Sequence, residues 1–136
     1  MSGQGDAARA RLEMDAFVYI AASRELHLIK IGWTKGSQRG KSLNKDGYGG
    51  ATDWLLLYER EFKRSGWVEI SAHKLLNHFR VREDYVRLGH GYKVKAKEIF
   101  CCSYADAFEA VERTSEQPLG TKYERFDAKG NYDYRI

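Results

Sequence analysis

The chain has 136 residues, of which 43% are hydrophobic and 31% charged, and its formal net charge is +4 at pH 7. This length suits one domain with a single hydrophobic core, and the composition is typical of a globular protein. No apolar run approaches the roughly 18 residues of a membrane span, and the first residues lack the apolar core of a signal peptide. We therefore expect no membrane-spanning segment and a cytoplasmic protein.

The cysteine content argues against two further classes of structure. Cys101 and Cys102 are adjacent, and neighbouring cysteines close only a small, strained ring, so we do not expect a structural disulfide. No further zinc ligands accompany them at a suitable spacing. We expect both side chains to be buried apolar fillers at the end of a strand.

The first predicted structure is a strand hairpin. Residues 1–15 are expected to form a tail in which a helix could begin. Residues 16–22 (AFVYIAA) are aromatic and β-branched enough for a buried strand. After a turn at 23–25, residues 26–33 (LHLIKIGW) alternate as its antiparallel partner. Gly32, near the end of this strand, indicates a bulge or a close approach by another group.

The later elements complete the predicted fold. The fold class is α+β, with a small antiparallel β-sheet flanked by helices. We predict a domain over 16–113, preceded by the tail and followed by a C-terminal extension over 114–136. In chain order the elements are a short helix over 38–45, a glycine-rich loop over 46–53, a strand over 54–62, a long helix over 66–79, a loop over 80–92, an edge strand over 92–101, a helix over 103–113 and, beyond Pro118, a tail or loose strand pair.

The long helix carries both an apolar side and a polar row. Ser65 is a suitable N-cap for it, as Ser37 and Ser103 are for the two other helices. We expect one side of it to be apolar, and its polar row has members spaced four apart, about 40° from one another. The apolar side comprises Trp67, Ile70, Leu75 and Phe79, with Val68 and Leu76, and the polar row comprises Glu69, His73 and Asn77.

Two interpretations of the polar row stay open from spacing alone. Glu69 could hold a divalent cation through oxygen, as hard metals prefer. An ordinary solvated helix flank with a Glu–His contact explains the same spacing, and spacing by itself favours it.

On the hairpin, Tyr19 by itself is typical of a core aromatic. Lys30, between Ile29 and Ile31, must point to the opposite face, where it either reaches solvent or faces an anion.

A basic cluster follows the hairpin. The cluster contains no acidic residue, and the first one, Asp46, comes directly after it. Such a patch permits an anionic partner such as nucleic acid without requiring one. The cluster comprises Lys30, Lys35, Arg39, Lys41 and Lys45.

Five short motifs in this order resemble the GIY-YIG nuclease superfamily, in the phage and bacterial branch whose second motif reads K-I-G. The resemblance covers roughly residues 16–112. The first motif lacks the family's glycine, and Lys30 stands where most members have a second tyrosine. The motifs are residues 17–19 (FVY), residues 30–32 (KIG) followed by Thr34, Arg39, the E-x-x-x-H of residues 69–73 with Phe79 beyond it, and residues 98–100 (EIF).

The resemblance implies metal-dependent hydrolysis of phosphodiester bonds in nucleic acid, DNA more than RNA. Glu69 would hold one Mg²⁺ or Mn²⁺. Tyr19 would position or deprotonate the attacking water, and Arg39 would stabilise charge on the phosphate. Lys30 would supply a second positive charge to the phenol or the phosphate. His73 would orient Glu69, donate to phosphate, or replace the tyrosine as base.

Two other functions compete with the nuclease. One is a catalytically inactive module of the same fold that binds nucleic acid through the basic cluster, and the replacement of the second tyrosine by Lys30 favours it. The other is a protein-interaction domain that uses the aromatic residues of the C-terminal extension. These aromatic residues are Tyr123, Phe126, Tyr132 and Tyr134.

Overall fold

A central strand organises the sheet. The computed structural model describes residues 9–10, 12–39, 44, 51–81, 84–86, 93–95 and 98–125. Strand β1 (Ala16–Ser23) pairs antiparallel with β2 (Leu28–Thr34) on one side and with β3 (Trp54–Phe62) on the other. Apart from Phe17, every residue of β1 is buried, because both faces of a central strand are covered. The predicted strands over 16–22 and 54–62 are confirmed.

The β1–β2 turn is longer than predicted. Residues 24–27 form the turn, and β2 begins at Leu28 instead of residue 26. His27 has a φ of 55°, in the left-handed region. This backbone conformation cannot continue a strand, so the alternation of residues 26–28 overstates the strand length.

Two short strands complete the five-stranded antiparallel sheet, whose order is β6-β2-β1-β3-β7. Here β6 (Ile99–Phe100) pairs with β2, and β7 (Tyr123–Glu124) pairs with β3. A separate two-stranded sheet joins β4 (Asp84–Val86) and β5 (Lys93–Lys95). The fold is therefore α+β, as predicted.

Two predictions about residues 80–101 are wrong. The segment predicted as loop over 80–92 contains β4, and the predicted single strand over 92–101 is divided between β5 and β6. Its alternating pattern is present, but the two halves pair with different partners. A turn at Glu98 separates them.

Two α-helices follow β3 and β6. The first, α1 (Ser65–Leu75), is followed by a 3₁₀ turn (Asn77–Phe79), and the second is α2 (Tyr104–Glu112). The Ser103 hydroxyl accepts a hydrogen bond from the Asp106 N–H at 3.0 Å, which confirms the predicted cap of α2. The short helix predicted over 38–45 lies largely outside the described residues.

Ser65 does not cap α1, contrary to the prediction. The N-cap position is Arg64, which makes no capping bond through its side chain. The Ser65 hydroxyl instead donates to the Met14 carbonyl at 3.0 Å and accepts from the Trp33 indole N–H at 2.6 Å. This serine therefore ties α1 to the N-terminal segment and to β2.

The core-facing side of α1 agrees with the prediction only in part, because Val68 and Leu76 are in the core and Phe79 packs against it, as expected. Trp67 and Leu75 are 36% and 41% exposed. Small residues face the sheet instead, and an added side chain at Gly66 would lie 2.5 Å from Leu12 Cα. The buried residues of α1 are Ser65, Gly66, Val68 and Ala72.

The sheet has two different faces. The helix-covered face packs against α1 and α2 and contains Val18, Ile20, Ile29 and Ile31. The opposite face, called here the Tyr19 face, has a smaller apolar cluster. This second cluster comprises Tyr19, Ala21, Ala51, Trp54 and Ile99.

The residues after α2 return to the sheet. Pro118 forms a β-bridge with Phe62, and the Leu119 N–H donates to the Glu61 carbonyl at 2.9 Å. Strand β7 follows directly. Of the two cysteines, Cys102 is buried as predicted, whereas Cys101 is exposed. Among the described residues, no helix has the length and apolar character needed to cross a membrane.

Candidate functional site

One row of directly opposed residues crosses four strands on the Tyr19 face. Tyr19 in β1 lies opposite Gly32 in β2 and opposite Glu59 in β3, and Glu59 lies opposite Tyr123 in β7. Residues directly opposite one another in antiparallel strands project from the same face. These four residues, called here the Tyr19 row, therefore lie side by side about 4.8 Å apart from strand to strand.

Gly32 makes room for the Tyr19 ring. A Cβ at this position would lie 2.4 Å from Tyr19 Cζ and 2.4 Å from its hydroxyl oxygen. No real Cβ tolerates such a distance, so only glycine allows the phenol to lie across β2. The close approach predicted from the sequence at Gly32 is therefore confirmed, and the approaching group is the candidate catalytic tyrosine.

Lys30 is in direct contact with Tyr19. Its Nζ lies 2.5 Å from the Tyr19 hydroxyl and 3.8 Å from Glu98 Oε2, and its side chain is 12% exposed. Burial lowers the pKa of the Lys30 ammonium, and the carboxylates of Glu98 and Glu69 partly offset that effect. Of the two alternatives for Lys30, the structure selects the second: the lysine faces anions and a phenol.

His73 links α1 to β2 through a hydrogen bond. Its Nε2 lies 3.0 Å from the Ile31 carbonyl oxygen, and because a carbonyl can only accept, Nε2 carries the hydrogen. The imidazole also packs against Phe100, with ring centroids 5.1 Å apart. Burial lowers the pKa of His73, the bond to Ile31 raises it, and the charge of Arg80 lowers it further. His73 is therefore neutral at pH 7, with Nδ1 as the remaining nitrogen for any proton transfer.

Glu69 lies one turn before His73 on α1 and is half-buried. Its carboxylate acts electrostatically on Lys30, so the helix brings an acidic group towards the Tyr19–Lys30 pair. Among the described residues, no group of three or more His, Cys, Asp or Glu side chains could hold a metal ion. A single carboxylate still fits Mg²⁺, which is often bound by one or two carboxylates together with water and substrate phosphates.

Arg39 is attached to the other end of the Tyr19 row. Its Nε lies 3.4 Å from Glu59 Oε1, and its guanidinium carbon lies 5.3 Å from the centre of the Tyr123 ring. The Glu59 side chain is completely buried, whereas that of Arg39 is 54% exposed. Glu59 also accepts hydrogen bonds from the Ser37 hydroxyl at 2.6 Å and the Gln38 N–H at 2.5 Å.

The predicted site residues therefore fall into two groups around one row. Tyr19 and Lys30 touch, and Glu69 on α1 acts electrostatically on Lys30, whereas His73 contacts the Ile31 carbonyl of β2. Arg39 is held separately, at the residue that neighbours Tyr19 on β3. Of the remaining predicted nucleic-acid contacts, Lys35 is exposed just after β2, and residues 41 and 45 lie outside the described part of the chain.

Asn77 does not extend the polar row of α1. The α-helix ends at Leu75, and Asn77 is in the 3₁₀ turn, where it is exposed. It lines an open concavity of about 360 Å³ with His73 and Arg80, among others. Of the predicted polar row, only Glu69 and His73 lie on the α-helix itself.

Two residues of the site were missed by sequence reasoning. Glu59 is an acidic residue inside a strongly apolar strand, the same signal that singled out Lys30 in β2. Tyr123 was considered only as an aromatic residue of the extension. No local pattern distinguishes it, because its position depends on the pairing of β7 with β3.

The chain matches the T5orf172 domain over residues 16–115, which includes β1 to β6 and both helices. It therefore belongs to the T5orf172 domain family. This family is grouped with nuclease-like proteins, and it is associated with endonuclease-like proteins and with nucleic acid. No curated protein and no solved structure matches the chain.

Proposed function

We propose that this protein is a GIY-YIG-type endonuclease that hydrolyses phosphodiester bonds in nucleic acid, DNA more than RNA, with one Mg²⁺ or Mn²⁺. The observation that carries the proposal is the contact of Lys30 Nζ with the Tyr19 hydroxyl. The Glu69 carboxylate acts electrostatically on the same lysine. A buried lysine on a phenol is a costly arrangement for a structural role alone. It suits a site that moves a proton.

The Tyr19–Lys30 pair would activate the attacking water. Because burial lowers the pKa of Lys30, its neutral amine is more accessible than that of a surface lysine. The amine accepts the phenol proton of Tyr19, and the phenolate accepts a proton from water. The resulting hydroxide attacks phosphorus, the bond from phosphorus to the 3′ oxygen breaks, solvent protonates the leaving oxygen, and the Lys30 ammonium releases its proton to solvent.

Glu69 and Arg39 would serve the phosphate. Glu69 would hold the divalent ion, which when bound supplies neutralisation of a non-bridging oxygen and of the leaving oxygen. Arg39 contributes a permanently charged planar fork that suits two phosphate oxygens. The exposed part of the basic cluster, including Lys35, would contact flanking phosphates without reading bases.

A catalytically inactive nucleic-acid-binding module is the second candidate. It is favoured by the single carboxylate at Glu69, since no larger ligand cluster is found among the described residues. Such a module would use the same basic side chains only for their positive charge, which attracts the phosphates of the nucleic acid. The two candidates differ in whether covalent bonds in the nucleic acid are broken.

A cleavage assay separates them. Purified protein is incubated with plasmid DNA, linear DNA and RNA in Mg²⁺, in Mn²⁺ and in EDTA, and products are resolved on gels. The nuclease predicts metal-dependent cleavage that Glu69→Gln reduces about 1000-fold, or about 4 kcal/mol. The matched control is Glu109→Gln on the exposed surface of α2, which should cleave like the wild type.

The outcomes are distinct. Nucleic-acid binding without cleavage in either metal would replace the nuclease by the binding module. Cleavage by Glu69→Gln at the wild-type rate would remove Glu69 from the metal site. Absence of binding to DNA and RNA at low salt would favour the protein-interaction domain.

A further inference from the structure

The buried carboxylate of Glu59 has an unusual set of partners. An ionised group in an apolar interior is costly unless hydrogen bonds compensate it. Glu59 accepts from the Ser37 hydroxyl, the Gln38 N–H and Arg39 Nε. All three donors belong to consecutive residues. One buried acid therefore holds the whole 37–39 segment against the middle of the sheet.

Tyr123 supplies the second contact with Arg39. The guanidinium lies over the Tyr123 ring at 5.3 Å, within the range of a cation–π contact. The pairing of β7 with β3 puts this ring directly beside Glu59. Neither contact needs a side chain from the helix-covered face, so both act on Arg39 from the Tyr19 row alone.

The two contacts leave the phosphate-binding edge of Arg39 available. The Tyr123 ring makes a cation–π contact with the guanidinium, and the bond to Glu59 uses Nε, the nitrogen nearest the side-chain stem. The two terminal nitrogens lie further out on a side chain that is 54% exposed. A guanidinium held in this way loses less rotational freedom when it binds two phosphate oxygens.

The arrangement also relates Arg39 to the candidate catalytic tyrosine. Glu59 is the direct cross-strand neighbour of Tyr19, so the residue that anchors Arg39 lies on the strand next to that of Tyr19. Tyr123 is outside the residues that match the T5orf172 domain, which end at 115. The domain match alone would assign this tyrosine no role.

We infer that Tyr123 is a positioning residue that, together with Glu59, holds Arg39 at the Tyr19 row for phosphate contact. The segment after α2 is then part of the site. This inference rests on the proposed nuclease function, in which Arg39 stabilises the charge on the phosphate.

A double-mutant cycle tests the inference by activity. The variants are Tyr123→Leu, Arg39→Ala and the two combined, and kcat and KM are measured on one DNA substrate. Tyr123→Leu should lower kcat about tenfold, with KM changed by less than about twofold, since positioning acts in the transition state. In the Arg39→Ala background the same substitution should have no further effect.

Two controls distinguish positioning from structural damage. Tyr123→Phe keeps the ring and should retain kcat within about twofold, because stacking on the guanidinium does not require the hydroxyl. Lys122→Gln alters the adjacent residue, which pairs with Glu112 and Glu124, and should leave kcat unchanged. An equal loss from Tyr123→Leu in both backgrounds, or none in either, would overturn the inference.

A spectroscopic readout is independent of cleavage. The Nε–Hε resonance of Arg39, assigned by its loss in Arg39→Ala, should shift in Tyr123→Leu and exchange faster with solvent in Glu59→Gln. An unshifted resonance in Tyr123→Leu would overturn the inference even in an active nuclease. If the wild type does not cleave nucleic acid, the nuclease proposal fails, and this resonance decides by itself whether Tyr123 and Glu59 hold Arg39.

Discussion

The two ends of the Tyr19 row hold their cations in opposite ways. At the β2 end the lysine is buried and the acid beside it is more open, with side-chain exposures of 12% for Lys30 and 34% for Glu98. Towards the other end, on β3, the basic side chain is exposed and the acidic one is buried, with side-chain exposures of 54% for Arg39 and none for Glu59. At one end the basic side chain is the more buried partner, and at the other end the acidic side chain is.

This difference matches the chemistry of the two side chains. Burial lowers the pKa of an ammonium, so Lys30 can give and take a proton. A guanidinium keeps its charge in any protein environment, and Arg39 contacts the buried Glu59 through Nε while its side chain stays 54% exposed. The β2 end is therefore suited to proton transfer and the β3 end to stabilising phosphate charge.

Substitution of Lys30 should have the largest effect in this comparison. Lys30→Met should lower kcat about 1000-fold, within the range of general acid–base catalysis. Lys30→Arg should not restore it, because arginine does not release its proton. Steady-state cleavage kinetics measure this, with Lys63→Met at an exposed position as control. Near-normal kcat in Lys30→Arg would show that residue 30 supplies charge only.

Substitution of Arg39 should be next in size. Arg39→Ala should lower kcat about 100-fold, or about 2.7 kcal/mol, as the loss of one preorganised charge does. Arg39→Lys should recover part of this, since an ammonium supplies charge without the planar fork. Arg113→Ala, on the exposed end of α2, is the control. A loss below about tenfold would mean that Arg39 does not stabilise the transition state.

The pH dependence at His73 should be the smallest effect. Burial lowers the pKa of His73 in the folded protein, so the unfolded chain binds the proton more readily. Folding stability should therefore be complete above the unfolded value, about pH 6.5, and should decrease as the pH falls below it towards the folded pKa. The expected change is smaller than the effects on kcat described above, because only one partly buried group contributes.

Urea unfolding at several pH values between about 5 and 7.5 measures this dependence. His73→Gln can still donate to the Ile31 carbonyl but does not titrate, so its stability should vary less with pH. His78→Gln alters an exposed neighbour and should keep the wild-type slope. A wild-type slope retained in His73→Gln would assign the dependence to another group.

Much of the fold was predictable because the strands carry their own patterns. Residues 16–22 and 54–62 form the strands expected of them, and Ser103 caps the helix that follows it. Two of the errors have a related physical origin. Around residues 80–101, and on α1, the pattern indicated which residues alternate but not which element they would contact. On α1 the expected Val68 and Leu76 are in the core, but Trp67 and Leu75 are exposed.

The site was predictable only in part. Tyr19 and Lys30 could be paired through their motifs and strand faces, and the contact between them follows from the hairpin. Glu59 could have been suspected, since an acid in an apolar strand needs a partner. Tyr123 could not, because a two-residue strand carries no periodic signal.

The sequence alone determined the class of fold, the hairpin that carries Tyr19 and Lys30, and the spacing of Glu69 and His73 along one helix, because these are local properties of alternation and helical repeat. Only the tertiary structure decided that Glu59 lies between Tyr19 and Tyr123 and that Arg39 is attached there. Neighbours across a sheet are set by which strands pair and in what register. That choice depends on the packing of the whole domain and not on any one segment.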